Sequence, residues 1–165
     1  MMRTITLCVR GIPKGQPRQR HAISKHASVK TGKRFIMNYD PGTADAWKTA
    51  VKAAIREHVP KTPHACPMQV SETFYMPRPQ ALCKKSCVPG PIPHTAKPDR
   101  DNLEKATLDA ITDSGFWRDD SQVYGGNGPW KFYHAIDGAP GAVIEITFDD
   151  GENHHANQGN IHAGR

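Results

Sequence analysis

The chain carries no acidic residue before Asp40, and no window approaches the roughly 18 consecutive apolar residues of a membrane span. No membrane-embedded role is therefore expected. The opening Met-Met-Arg-Thr-Ile-Thr-Leu alternates instead of forming an apolar core, so a secretory leader is not expected either. Aromatic residues are few, at 7%, and the apolar fraction is only 37%. Four cysteines in 165 residues are too few for a disulfide scaffold, which points to a reducing, cytoplasmic setting. The length fits one domain with a modest core.

What is present is charge, unevenly placed. The net charge is +6, and nine basic residues precede Asp40: Arg3, Arg10, Lys14, Arg18, Arg20, Lys25, Lys30, Lys33 and Arg34. Seven of the sixteen acids fall between Asp99 and Asp120. A basic arm attracts a polyanion, whereas a dense acid run repels one unless a divalent cation neutralises it. Both runs are equally compatible with solvated surface.

Hydrophobic periodicity outlines the elements. Ile5, Leu7 and Val9 share one side of a strand over 3–9, which ends in the turn-forming run 11–17 and opens a basic loop to about Ile36. Trp47, Ala50, Val51, Ala54, Ile55 and His58 predict a helix over 43–58, with Thr43 as cap and Pro60 as stop. A strand follows at 68–76. Glu72 falls on its apolar side, where burial is costly, so a bulge that turns it outward is expected. Residues 77–98 form a loop rich in proline and cysteine. A second helix over 101–114 buries Leu103, Ala106, Thr107, Ala110 and Ile111 and ends at Gly115. A broken strand covers 122–135 and a last one 142–148. From Asp149 on, the polar, His-rich chain is expected to be a disordered tail. The order β-(loop)-α-β-α-β-β predicts an α+β fold: a single small domain at 1–148, with a mixed β-sheet and two main helices, plus a tail at 149–165.

The chemistry concentrates in Lys97-Pro98-Asp99-Arg100-Asp101-Asn102-Leu103-Glu104-Lys105 and Phe116-Trp117-Arg118-Asp119-Asp120-Ser121-Gln122. Pro98 favours an extended approach, so Asp99 and Asp101 project from the helix entry. Lys105 stands at i+4 from Asp101, on the same helical face. Mg²⁺ prefers hard oxygen ligands and completes its shell with water and phosphate. Acids that bind such an ion, beside a lysine that neutralises developing charge, suit phosphodiester hydrolysis. By spacing alone Asp101 could equally be a helix N-cap, Asp99 a partner of the helix dipole, and the Asp119-Asp120 pair a turn.

The whole run resembles the signature KPD-x-DNL-x-K followed by W-x-DD-x-Q of the RusA family of Holliday-junction resolvases. Gly11-Ile12-Pro13-Lys14-Gly15-Gln16-Pro17-Arg18 is similar to that family's N-terminal glycine- and proline-rich basic loop, with Gln16 where an arginine is expected. Tyr39 and the Trp47 helix also fit the family's order. The resemblance implies a homodimeric, Mg²⁺-dependent endonuclease, with Mn²⁺ able to substitute, that nicks four-way DNA junctions on opposing strands. It implies a bacterial or phage source, catalytic residues Asp99, Asp101, Lys105 and Asp120, and metal ligands Asp99, Asp101 and Asp120. Lys14, Arg18 and Arg20 are the candidate DNA contacts. Asp119 is the less favoured member of its pair.

Other candidates are weighed and set aside. Cys83 and Cys87, with Cys66, His64 and His94 nearby in sequence, have irregular spacing for zinc and read as reduced thiols. His94 and Lys131 read as solvated surface residues, and Trp117 as core. A non-catalytic basic DNA-binding protein, or a nuclease for other branched nucleic acids, remains the alternative.

Overall fold

The computed structural model describes residues 1–17, 20–23, 36–39 and 42–149; for 20–23 and 36–39 the description is of backbone only. β1 (Met2–Arg10) and β8 (Gly141–Asp149) pair antiparallel over their full length. β8 also pairs antiparallel with β4 (Met68–Met76), which forms the centre of a six-stranded sheet. On its other side β4 runs parallel to β6 (Val123–Gly125) and β7 (Trp130–Tyr133), and β5 (Ile92–Pro93) closes the edge against β7. The sheet is therefore mixed. β2 (Arg20–Ile23) and β3 (Ile36–Tyr39) form a separate antiparallel pair.

Parallel strands cannot be joined by a tight turn and need a long crossover. Between β4 and β6 that crossover contains α2 (Arg100–Ser114), and this connection places the acidic run against the sheet. α1 (Asp45–Ile55) buries Trp47, Val51 and Ile55. α2 buries Leu103, Ala106, Thr107, Ala110 and Ile111, the five positions its periodicity predicts. The Trp47 indole donates to the Thr107 hydroxyl at 3.2 Å, so the helix pair is tied by a satisfied polar contact inside the core. Gly115 ends α2 with φ +79°, a left-handed conformation that favours glycine, and its N–H caps the Thr112 carbonyl. From β1 and β8, the alternating Ile5, Leu7, Val9 and Ala142, Ile144, Ile146, Phe148 complete the core.

Several expectations change. The stretch read as a basic loop to Ile36 contains the β2–β3 ladder, whose strands are four residues each and pair across a long separation that local periodicity does not register. α1 is capped neither by Thr43 nor by any side chain; its N-cap is Ala44, and a short 3-10 turn at Arg56–His58 follows it. Glu72 is not turned out by a bulge. β4 keeps continuous register with β8 from Met68 to Tyr75, and Glu72 remains on the inward face, 3% exposed. The tail beyond Asp149, and Arg18 in the basic loop, lie outside the described residues.

The loop after β4 is organised by Arg78. Its buried guanidinium donates to the carbonyls of Val88, Gly90 (2.8 Å) and His134 (3.4 Å), and its Nε donates to Leu82 (3.0 Å). A planar fork of five donors can meet several carbonyls at once, which an irregular loop supplies. The Cys83 and Cys87 thiols lie within 3.5 and 3.8 Å of the carbonyls of Pro79 and Ala81. Among the described residues, no helix is long and apolar enough to cross a membrane.

Candidate active site

The fold sorts the seven acids of the run by what they touch. Asp109 and Asp113 face α1, where Lys48 and Lys52 approach them at 3.5 and 3.0 Å. Asp119 is also committed. Its carboxylate accepts the Ser121 N–H at 2.9 Å, while the Gln122 side chain accepts the N–H groups of Asp119 (3.0 Å) and Arg118 (2.9 Å). These hydrogen bonds stabilise the ionised Asp119 carboxyl and hold it below its ordinary range. Asp99, Asp101, Glu104 and Asp120 remain.

Helix α2 begins at Arg100, one residue earlier than expected. Asp99, not Asp101, therefore occupies the N-cap, and its side chain makes no capping bond. The side-chain carboxylates of Asp99, Asp101 and Asp120 accept no hydrogen bond from any described residue. Asp99 and Asp101 are exposed, as is Lys105, while Asp120 is half-buried at the start of the 3-10 turn Asp120–Gln122. That turn is clipped to the lead into β4, because the Gln122 amide donates to the carbonyls of His64 (3.1 Å) and Cys66 (2.8 Å). The same connection pairs His64 with Trp117 in an isolated bridge, and His64 packs on Phe116 and Phe148. Trp117 is fully core, 1% exposed, with its indole on Thr112 at 2.7 Å.

Gln122→Leu is expected to cost roughly 1–3 kcal/mol, since it removes hydrogen bonds and strands two half-buried carbonyls. Urea unfolding measures the loss, and a loss within error would deny the clip a structural role.

Lys131 differs from its reading as a surface lysine. It is half-buried, and its ammonium donates to the carbonyls of Ala96 and Pro98, both at 2.6 Å. Burial lowers its pKa while the nearby Asp99 raises it, so Lys131 fastens the α2 entry and lies within the electrostatic reach of Asp99. Arg100 reaches across at 3.4 Å to the Pro129 carbonyl, just before β7. His94 also differs: it is buried, edge-to-face against Tyr133 with ring centroids 4.5 Å apart, and its backbone N–H donates to the Lys131 carbonyl at 3.0 Å. Burial, and then the Lys131 charge, lower its pKa.

The N-terminal loop closes the other side. Gln16 donates its backbone N–H to the Asn102 carbonyl at 2.7 Å. A Cβ on Gly15 would stand 3.0 Å from the Asn102 side chain and 3.2 Å from Pro98, so glycine is what lets this loop lie so close to the helix entry. Between them is a groove of about 620 Å³ lined by Lys14, Gly15, Gln16, Lys97, Asp99 and Asn102. Lys14 and Asp99 thus share one groove, and Lys97, which stands directly before Pro98, joins them. Arg20 opens β2.

The most buried acid is Glu72. Both of its carboxylate oxygens are without a hydrogen-bond partner. Burial, and then the charge of Glu104, push its carboxyl up to about 8. Glu104 is itself raised, by its own burial and by Asp101, against the opposing pull of Arg100. Among the described residues, no three His, Cys, Asp or Glu side chains gather closely enough to hold a metal ion. The donor chemistry nonetheless suits a hard divalent cation, which binds through one or two carboxylates and takes the rest of its shell from water and phosphate.

Carboxylates free of protein partners beside two lysines on a helix entry make a site able to handle a cation and a phosphodiester together. The chain belongs to the RusA family: the family model described as endodeoxyribonuclease RusA matches residues 11–147. It is 30% identical over 127 residues to the uncharacterized protein YqaN of Bacillus subtilis (strain 168), covering 74% of this chain and 83% of that one. Over a shorter stretch of 32 residues it is 53% identical to the crossover junction endodeoxyribonucleases RusA of Enterobacteria phage 82 and of Escherichia coli (strain K12). Those stretches cover 19% of this chain and 27% of each relative.

Proposed function

We propose that this chain is a Mg²⁺-dependent, structure-specific DNA endonuclease that resolves four-way junctions by paired nicks, with Mn²⁺ able to replace Mg²⁺. The observation that carries the reading is the groove at the α2 entry, where Lys14 and Lys97 flank a carboxylate that no protein group neutralises by a hydrogen bond. Membership of an endodeoxyribonuclease family supports the reaction class. The relatives' printed names support the crossover junction as substrate.

Asp99, Asp101 and Asp120 are the residues that would hold the ion, one or two of them directly and the rest through its water shell. No three such side chains among the described residues gather closely enough to share it. When bound, it would supply Lewis-acid activation of water and neutralise charge on the phosphate. Lys14 and Lys97 bind the phosphates flanking the scissile bond, with Arg18 and Arg20 extending that contact along the backbone. Lys105, on the Asp101 face of α2, neutralises the charge that builds on the phosphoryl oxygens as the bond breaks. Lys131 and Arg100 keep the α2 entry in place through their carbonyl contacts, so the acids are held before DNA arrives. Nicks on two opposing strands need two such sites, which makes a homodimer the acting species. The nuclease unit runs through the end of β8 at Asp149, with the polar sequence beyond it outside its chemistry.

The test is a labelled four-way junction incubated with and without Mg²⁺, beside a linear duplex of the same sequence. Symmetric nicks in the junction that require the ion, with the duplex bound but barely cut, are the expected result. Equal cutting of the duplex would overturn the junction claim. Tight binding without cutting in any divalent metal would leave a non-catalytic DNA-binding protein.

A further inference from the structure

We propose that Glu72 of the central strand and Glu104 of α2 together form a second divalent-cation site, one helical turn from Asp101. Glu72 lies on the inward face of the central strand, 3% exposed, with both carboxylate oxygens unpartnered. Glu104 is half-buried on α2, close enough for its charge to act on Glu72. A buried carboxylate within electrostatic reach of a second one is repelled by it, and the lowered dielectric sharpens the repulsion.

A protein can relieve such a pair with a proton, a cationic side chain or a metal ion. Among the described residues, no lysine or arginine forms an ion pair with either carboxylate. Arg100 acts on Glu104 electrostatically, but its guanidinium is directed to the Pro129 carbonyl. Glu72 has no hydroxyl, amide or backbone N–H to share a proton with. That leaves a carboxylic acid with an unsatisfied O–H, or a bound cation. Two carboxylates are enough for Mg²⁺ or Mn²⁺, since water fills the other positions. Such a pair is one ligand short of a three-residue cluster, in keeping with the absence of any such cluster among the described residues. The half-exposure of Glu104 provides the route to solvent. This site deepens the nuclease reading and rests on it for Asp101 as a ligand of the neighbouring ion.

The test counts Mn²⁺ on the full chain by electron paramagnetic resonance and calorimetric titration, without DNA, in wild type, Glu72→Gln, Glu104→Gln and Asp120→Asn. Wild type is expected to bind two ions. Glu72→Gln and Glu104→Gln should each lose one, or bind it roughly tenfold or more weakly. Asp120→Asn should keep that ion and weaken the other. Glu72→Gln replaces a buried acid with a neutral group of the same shape, so it is expected to fold, and circular dichroism checks this. If Glu72→Gln and Glu104→Gln match wild type in number and affinity, the proposal is overturned and Glu72 is a neutral core acid. The nuclease reading then stands or falls separately, on Asp120→Asn and on junction cutting.

Discussion

Asp101→Asn nicks a four-way junction at least ~10²–10³-fold more slowly than wild type and binds it as tightly or more tightly. Asp101 is exposed in the first turn of α2 and its carboxylate accepts no hydrogen bond from a described residue, so the substitution costs the fold no more than a small helix-dipole interaction. It removes a hard anionic donor and a negative charge facing the DNA backbone. The first loss slows chemistry and the second favours binding. Asp120→Asn behaves the same way, whereas Asp119→Asn is much milder because an amide oxygen can still accept the Ser121 N–H. Single-turnover nicking beside a gel-shift titration measures both quantities. If Asp101→Asn cuts at the wild-type rate, the acids are not the catalytic set. If it loses binding and cutting in parallel, it acts on the substrate complex and not on the chemical step.

The second large effect is a stability that falls as pH rises. In metal-free protein the Glu72 carboxyl titrates at about 8, against 4.5 for an ordinary glutamate. Between those values the native state holds a proton that the unfolded chain has released. Its contribution is fully present below about 4.5 and is lost as pH climbs through about 8. Burial sets most of this, with the apolar Ile144 opposite Glu72 in the strand pair; the charge of Glu104 on α2 adds to it, with Arg100 and Asp101 acting on Glu104 in turn. Glu72→Gln should therefore flatten the slope, leaving the variant more stable than wild type in alkali by an amount on the order of a few kcal/mol. Urea unfolding in EDTA at about pH 5 and about pH 9 reads it. Identical slopes in the two proteins would mean that Glu72 is solvated.

Much of this architecture is local and was legible without coordinates. A strand that alternates Ile5, Leu7 and Val9 declares its buried face, because side chains on a pleated strand repeat every second residue. α2 likewise shows its inner face through Leu103, Ala106, Thr107, Ala110 and Ile111, and its end through Gly115. Short elements were missed for a physical reason. β5 is two residues and β2 and β3 four each, too short for a period to register, and their formation depends on a partner strand supplied by the fold.

The site divides in the same way. That Asp99, Asp101 and Lys105 share a helix entry follows from Pro98 and from i+4 spacing, both local properties of the chain. Which member of the Asp119-Asp120 pair stays available does not, because it depends on Gln122 reaching His64 and Cys66, far away in sequence. The groove shared by Lys14, Lys97 and Asp99 needs Gly15 pressed against Asn102, a contact between loop and helix. Glu72 is the sharpest case. From sequence, a lone acid on an apolar strand face is costly enough to suggest a bulge. Only the fold, with β4 in unbroken register against β8, left it buried and within electrostatic reach of Glu104. Sequence alone determined the elements, their apolar faces and the residue types available for chemistry, since these rest on neighbours a few positions apart. Tertiary structure decided which charges meet, which are already satisfied and which are left with neither water nor partner, because burial and electrostatics depend on groups that only folding brings together.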